Sequence, residues 1–81
     1  MRLDKYLKVS RIIKRRSVAN EACDAARVTV NGKAAKAAHI VKPGDIIEVR
    51  FGSGVMRVEV LSDKEQVKKN EAQLLYRVIQ E

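Results

Sequence analysis

The 81-residue sequence has one cysteine, one proline, four glycines and no tryptophan, and its aromatic side chains are Tyr6, Phe51 and Tyr76 alone. A lone Cys23 allows no disulfide within the chain, so the fold does not depend on an oxidising compartment. Few glycines and a single proline, beside 46% hydrophobic residues, exclude a disordered tail. With so few aromatics, the core has to rest on Val, Ile, Leu and Ala. No stretch approaches the ~20 apolar residues of a membrane span. The opening Met-Arg-Leu-Asp-Lys carries no apolar signal core, so a cytoplasmic location without membrane association is expected. There is no Gly-rich phosphate loop and no Ser/His/Asp arrangement. The single His39 has no Cys or carboxylate cluster around it. No metal, no cofactor and no catalysis are therefore expected. A chain this short forms one domain and buries only about 60% of the surface its unfolded form exposes, which leaves little room for an enclosed catalytic pocket.

What the sequence has is positive charge, and it has it at one end. The formal net charge is +7. Met1 to Lys36 holds ten Lys/Arg against three acids (Asp4, Glu21, Asp24), whereas Ala37 to Glu81 holds seven of each. The whole excess therefore lies in the first 36 residues. A merely solubilising charge tends to be mixed and dispersed; a segregated one points to a polyanionic partner docking there.

The hydrophobic pattern changes period along the chain. Leu3, Tyr6 and Leu7, with Ser10 beside them, recur at helical spacing and predict a short helix over Arg2–Ser10, with Asp4, Lys5 and Lys8 on its far side. Arg11 to Lys14 reads as a turn whose isoleucines seal the core. Ser17 is a candidate N-cap for a second helix, unless the basic cluster supplies the first turn. Ala19, Ala22, Cys23 and Ala26 share one face of that helix, and Asn20, Glu21 and Asp24 face away. From Val28 the period is two. Val28-Thr29-Val30 precedes Asn31-Gly32, a hairpin signal because both central positions of a type I′ turn need φ > 0. Lys33-Ala34-Ala35 starts the return strand. Lys42-Pro43-Gly44-Asp45 suits a type II turn. Strands follow over Ile47–Phe51 and Val55–Val60, joined by Gly52-Ser53-Gly54. Ser62–Asn70 reads as a polar loop. Glu71–Ile79 is ambiguous, with a helical turn at Ala72–Leu75 and a strand at Tyr76–Ile79 expected. The class is α+β: two short N-terminal helices packed on a small antiparallel β-sheet. The domain spans residues 1–81, with a core motif over 1–51 and a C-terminal β extension over 52–81.

Lys14-Arg15-Arg16 stand where cations are disfavoured, since a helix N-terminus already carries partial positive charge worth a few tenths to ~1 kcal/mol per residue. A phosphate reverses the sign, because free N–H groups and cations then face the same anion. Local rules of this kind are broken at functional sites. Arg2, Lys5 and Lys8 add the outer face of the first helix, and Arg11 the turn beyond it. Asp4, alone among these cations, either holds Arg2 or a second-helix arginine in a fixed orientation, or is a plain helix-start acid. Lys33 and Lys36 reach toward phosphates from the hairpin. Such a composite of helix faces and hairpin edge suits a folded RNA better than a DNA major groove, and no recognition helix with base-reading spacing is present. Cys23 and Tyr76 are expected in the core. So is Tyr6, with base stacking as its alternative.

Four motifs in order resemble the S-four (αL motif) RNA-binding domain family. They are Arg2-Leu3-Asp4-Lys5-Tyr6-Leu7, the basic cluster with Ala19, Arg27-Val28-Thr29-Val30-Asn31-Gly32-Lys33, and Lys42-Pro43-Gly44-Asp45. The resemblance covers Met1 to Phe51. Lys8–Arg11 and Ile13–Arg16 look like the heat-shock-protein-fifteen branch. The short length and the ending Leu75–Ile79 look closest to the RqcP group of ribosome quality-control factors. That resemblance implies a non-catalytic monomer that binds large-subunit rRNA and peptidyl-tRNA on a large ribosomal subunit obstructed by a stalled chain. It implies cooperation with an RqcH-like factor that adds C-terminal alanine tails. It also implies that Arg2, Asp4 and Arg16 match the positions most tied to RNA contact. Where the family has Gly before the Arg-Val stretch, this chain has Ala26, which leaves the end of the second helix open. Simple recycling of stalled subunits, and general coating of RNA or DNA, are the competing readings.

Overall fold

The computed structural model describes residues 1–64 and 68–79. Helix α1 (Leu3–Val9) forms on the expected stripe, with Leu3, Tyr6 and Leu7 fully buried and Ser10 buried as its C-cap. Arg11 then takes a φ of 65°, a left-handed turn that the sequence does not announce. It folds the chain back so that the Ile13 amide donates to Leu7 O at 3.0 Å and the Ile13 side chain enters the core. Helix α2 (Arg16–Asp24) packs on α1 through Ala19 and Cys23, both buried. Small residues there let the two helices approach closely.

Four expectations for the helices need correction. Asp4 does not lie on the outer side with Lys5 and Lys8; it is 2% exposed, at the α1–α2 contact. Asn20 does not face away, because its side-chain amide donates to Asp4. Ser17 is exposed and caps nothing; the N-cap is Arg15, with no capping side chain, and the basic cluster supplies the first turn. The end of α2 is also settled. Ala26 is exposed, at φ 58°, beyond the helix rather than on its apolar face. Its amide donates to Cys23 O, and the Arg27 amide to Ala22 O at 2.9 Å. This is a Schellman termination, adopted here by alanine where glycine would carry no Cβ penalty.

The sheet is antiparallel in the order β2-β1-β3-β4-β5. Strands β1 (Val28–Val30) and β2 (Lys33–Ala34) flank the expected hairpin, with Asn31 at φ 54° and Gly32 at φ 85°, as a type I′ turn requires. The 42–45 turn brings the Asp45 amide to Lys42 O at 3.1 Å, with Gly44 at φ 94°. Asn31 ties the two turns together: its amide nitrogen donates to Asp45, and its oxygen accepts from the Ile46 amide at 2.9 Å. Strands β3 (Ile46–Phe51) and β4 (Gly54–Val60) pair in register Ile47↔Val58 and Val49↔Met56. One face of the sheet buries Val28, Val30, Ile47, Val49, Val58 and Val60 against the helices. Phe51, at the strand end, is 44% exposed. On the other face Glu48 pairs with Arg57, and Glu59 with Arg77.

A 3-10 helix (Lys69–Leu75) begins inside the stretch expected to be loop, and β5 (Tyr76–Val78) then pairs with β4. Residues 65–67 of that expected loop lie outside the described residues. The 3-10 helix buries Ala72 and Leu75, and Tyr76 packs at the core's edge. The Tyr6 hydroxyl donates to Leu75 O at 2.6 Å, which fastens the first helix to the C-terminal elements. Tyr6 is thus a core residue with its polar end satisfied, and it offers no stacking surface.

Candidate nucleic-acid interface

The chain start is held by the segment that follows the hairpin. Arg2 bridges Ile40, the Val41 amide donates to Met1 O, the Leu3 amide to His39 O at 2.7 Å and the Asp4 amide to Ala37 O at 3.2 Å. The Lys5 amide donates to the Asp4 carboxylate at 2.8 Å. The first amides of α1 are therefore consumed inside the protein, and an anion at this end meets side chains rather than helix N–H groups. At α2 no side chain caps the start, and among the described residues no carbonyl outside the helix accepts from the Arg16, Ser17 or Val18 amides.

Asp4 is the centre of the arrangement. Arg2 reaches it at 3.3 Å, Arg16 at 3.3 Å and Asn20 at 3.4 Å. The Asp4 side chain is 3% exposed, whereas those of Arg2 and Arg16 are 46% and 48% exposed. Burial pushes the Asp4 carboxyl upward. Hydrogen bonds from Arg16, Asn20 and the Lys5 amide, with the Arg16 charge, outweigh that and hold it below the ordinary carboxylate value. The carboxylate stays ionised and orients two guanidiniums from two different elements, each with half its surface turned to solvent. Of the two readings left open for Asp4 by the sequence, the geometry is that of the orienting one.

The remaining expected residues fall into two further groups. Lys8, at the end of α1, Arg11, in the left-handed turn, and Lys14 line one open depression. Lys33 and Lys36 line a second, beside the hairpin, together with His39. Lys36 stands next to Ala37, whose carbonyl takes the Asp4 amide, so this group adjoins the first turn of α1. Arg15 is exposed between the helices, and Lys5 is half-buried on α1. Two of the three cationic groups thus lie at the first turn of α1, and the third at its last turn beside the approach to α2. Asn20 and His39 join them without having been expected. Asn20 stands one helical turn from Arg16, but only the packing of α2 on α1 shows that this face meets Asp4. Among the described residues, no group of three His, Cys, Asp or Glu side chains is placed to hold a metal ion, and no helix is long and apolar enough to cross a membrane. Burial pushes the Cys23 thiol up to about 11, the nearby charges of Asp4 and Asp24 adding to the effect. It is a core side chain.

The S4 domain family matches residues 1–47. A relative named RQC P-site tRNA stabilizing factor, from Halalkalibacterium halodurans, is 54% identical over 81 residues, covering all of this chain and 92% of the relative. The Bacillus subtilis protein of the same name is 51% identical, covering all of this chain and 94% of its own length. Among solved structures, the trimeric structure of Vibrio cholerae heat shock protein 15 superposes with a TM-score of 0.89 at 34% identity, covering 98% of this chain and 81% of that one.

Proposed function

Because the chain belongs to the S4 domain family, and within it groups with the RQC P-site tRNA stabilizing factors, we propose that it is a non-catalytic factor that binds large-subunit rRNA and P-site peptidyl-tRNA on obstructed large ribosomal subunits. A ribosome-associated RNA-binding role follows from the family. The finer assignment is our reading. The observation that carries it is the buried Asp4 carboxylate gripping Arg2 and Arg16 while both stay half exposed. An arginine fork fixed in advance loses little side-chain freedom when it meets a phosphate. Arg15, Lys14, Arg11 and Lys8 extend the cationic surface past the uncapped start of α2, and Lys5, Lys33 and Lys36 extend it toward the hairpin.

On this reading the protein holds the tRNA in place while an RqcH-like partner adds alanine residues to the stalled chain. It needs no group that performs chemistry, only positioned cations on a rigid frame. Arg16→Ala should weaken co-sedimentation with large subunits at least fivefold at ~0.15 M salt, where weak surface attraction is largely screened. Unchanged binding in that variant would sink the assignment. The likeness to heat shock protein 15 supports a second reading, in which the chain recycles stalled subunits without tailing. Co-purification with an RqcH-like partner, and alanine tails lost on deletion, separate the first from the second.

A further inference from the structure

The sequence places ten cations in the first 36 residues; seven belong to the groups above, and Lys5 and Arg15 stand beside them on the helices. The tenth, Arg27, does not. It follows the Schellman end of α2, and its carbonyl accepts the Arg50 amide at 2.8 Å. The β1–β3 register Val28↔Val49 therefore continues to Arg27 opposite Arg50. Both residues are exposed. Among the described residues, neither side chain has an acid within ion-pair distance; the acids of the neighbouring sheet face, Glu48 and Glu59, are taken by Arg57 and Arg77. Like charges directly opposite one another on adjacent strands destabilise a sheet. The helix C-terminus attracts a cation such as Arg27, but that leaves Arg50 opposite it without a reason. A local rule broken with no compensation inside the protein marks a place where compensation comes from outside.

We propose that Arg27 and Arg50 form a second phosphate clamp for RNA, separate from the one that Asp4 organises. The inference rests on the RNA-binding reading and extends it. The two clamps stand at opposite ends of α2, whose nine residues span roughly 13 Å. One phosphate cannot satisfy both, so the protein engages RNA at two places, either two segments of one molecule or two molecules. The chemistry is that of a phosphodiester backbone: paired guanidiniums offer forked N–H donors and fixed positive charge. The open hairpin end beside them, Gly52-Ser53-Gly54, gives a strand free approach, since nothing lies within 4 Å of where a Cβ would stand on either glycine.

The decisive variant is Arg50→Glu in the full-length chain. It replaces a like-charge pair by an opposite-charge pair, so the melting temperature should hold or rise. Binding should nevertheless fall at least tenfold, measured against large subunits carrying peptidyl-tRNA and, separately, against protein-free large-subunit rRNA and bulk tRNA. Arg27→Gln with Arg50→Gln should flatten the dependence of log K on log salt by about 1.4 to 1.8, the loss of two phosphate contacts. Arg27→Lys with Arg50→Lys should recover part of the affinity. Arg16→Ala is run alongside. If Arg16→Ala weakens binding and both Arg50→Glu and the double Gln variant bind as wild type, the second clamp is refuted and the functional reading stands. If none of these weakens binding, both fall. A loss confined to intact subunits, with protein-free rRNA and tRNA bound as by wild type, assigns the arginines to a ribosomal-protein contact and overturns the RNA clamp.

Discussion

Asp4→Asn removes one negative charge from a protein proposed to bind a polyanion, and raises the net charge from +7 to about +8. Two effects then oppose each other. A phosphate gripped by Arg2 or Arg16 stands roughly 8 Å from the buried Asp4 carboxylate, and at an effective dielectric of about 20 and ~0.15 M salt the repulsion relieved there is about 0.8 kcal/mol. Against it stands the loss of orientation. Asp4 accepts from Arg2, Arg16, Asn20 and the Lys5 amide, and the neutral amide holds the two guanidiniums far more weakly. Immobilising a rotamer-rich side chain on binding costs about 0.5–1.5 kcal/mol. Two arginines no longer fixed in advance therefore cost about 1–3 kcal/mol, which leaves a net loss of about 0.2–2.2 kcal/mol, or roughly 1.4- to 40-fold in affinity. Orientation wins by this arithmetic. Asp4→Asn should bind large subunits more weakly although it is more positive. Fluorescence-polarisation titrations against a labelled rRNA fragment at several salt concentrations measure it, below the melting transition, since the variant also loses about 1–3 kcal/mol of stability. Equal or tighter binding would refute the orienting role and leave Asp4 as a helix-start acid.

Tyr6→Phe removes the hydroxyl that donates to Leu75 O at 2.6 Å, a carbonyl that still accepts from the Leu61 amide at 2.8 Å. Stability should drop by about 0.5–1.5 kcal/mol in urea denaturation, with RNA affinity unchanged in the folded protein. Ala26→Gly should stabilise the fold by about 0.5–1 kcal/mol, read as a higher urea midpoint, because φ 58° strains a residue with a Cβ while glycine's larger unfolded-state entropy offsets part of the gain. The Asp4 carboxyl is held below its ordinary value. Its contribution to stability is therefore complete above about pH 4, the unfolded value, and is lost as pH falls through the lower folded value. Acid titrations monitored by circular dichroism should show that loss in the wild type and not in Asp4→Asn. Cys23, with its thiol pushed up to about 11, should react with a thiol reagent at pH 8 only after denaturation.

The sequence announces a side chain's environment where one dominant signal acts alone. The stripe of Leu3, Tyr6 and Leu7, the Asn31-Gly32 turn and the Pro43-Gly44 turn are of this kind. It fails where a polar residue sits on the border between two faces. Asp4 lies about 60° round the helix from Leu7, close enough to be covered by α2, but a helical wheel of one helix contains nothing about what covers it. Asn20 is the matching case on α2. Ser17 has the chemistry of a cap, yet the helix starts two residues earlier than that cap would set, with Arg15 as its N-cap, and tertiary geometry overrides propensity there. Ala26 keeps a left-handed conformation without glycine because the sheet fixes Arg27 just beyond it. The 3-10 helix at Lys69–Leu75 begins among polar residues that carry no periodicity, and it is held by the burial of Ala72 and Leu75 at its far end. The candidate site is legible in the sequence as a set of cations. Its organisation around one buried carboxylate depends on the packing of α1 against α2.

The central claim is that positioned cations of this small domain hold tRNA on an obstructed large subunit. Co-sedimentation at ~0.15 M salt against whole ribosomes, empty large subunits and large subunits carrying peptidyl-tRNA tests it most directly. The account predicts preference for the tRNA-loaded subunit, and loss of that preference in Arg16→Ala. Equal binding to all three, competed away by excess DNA, would contradict it and leave a general nucleic-acid-binding module.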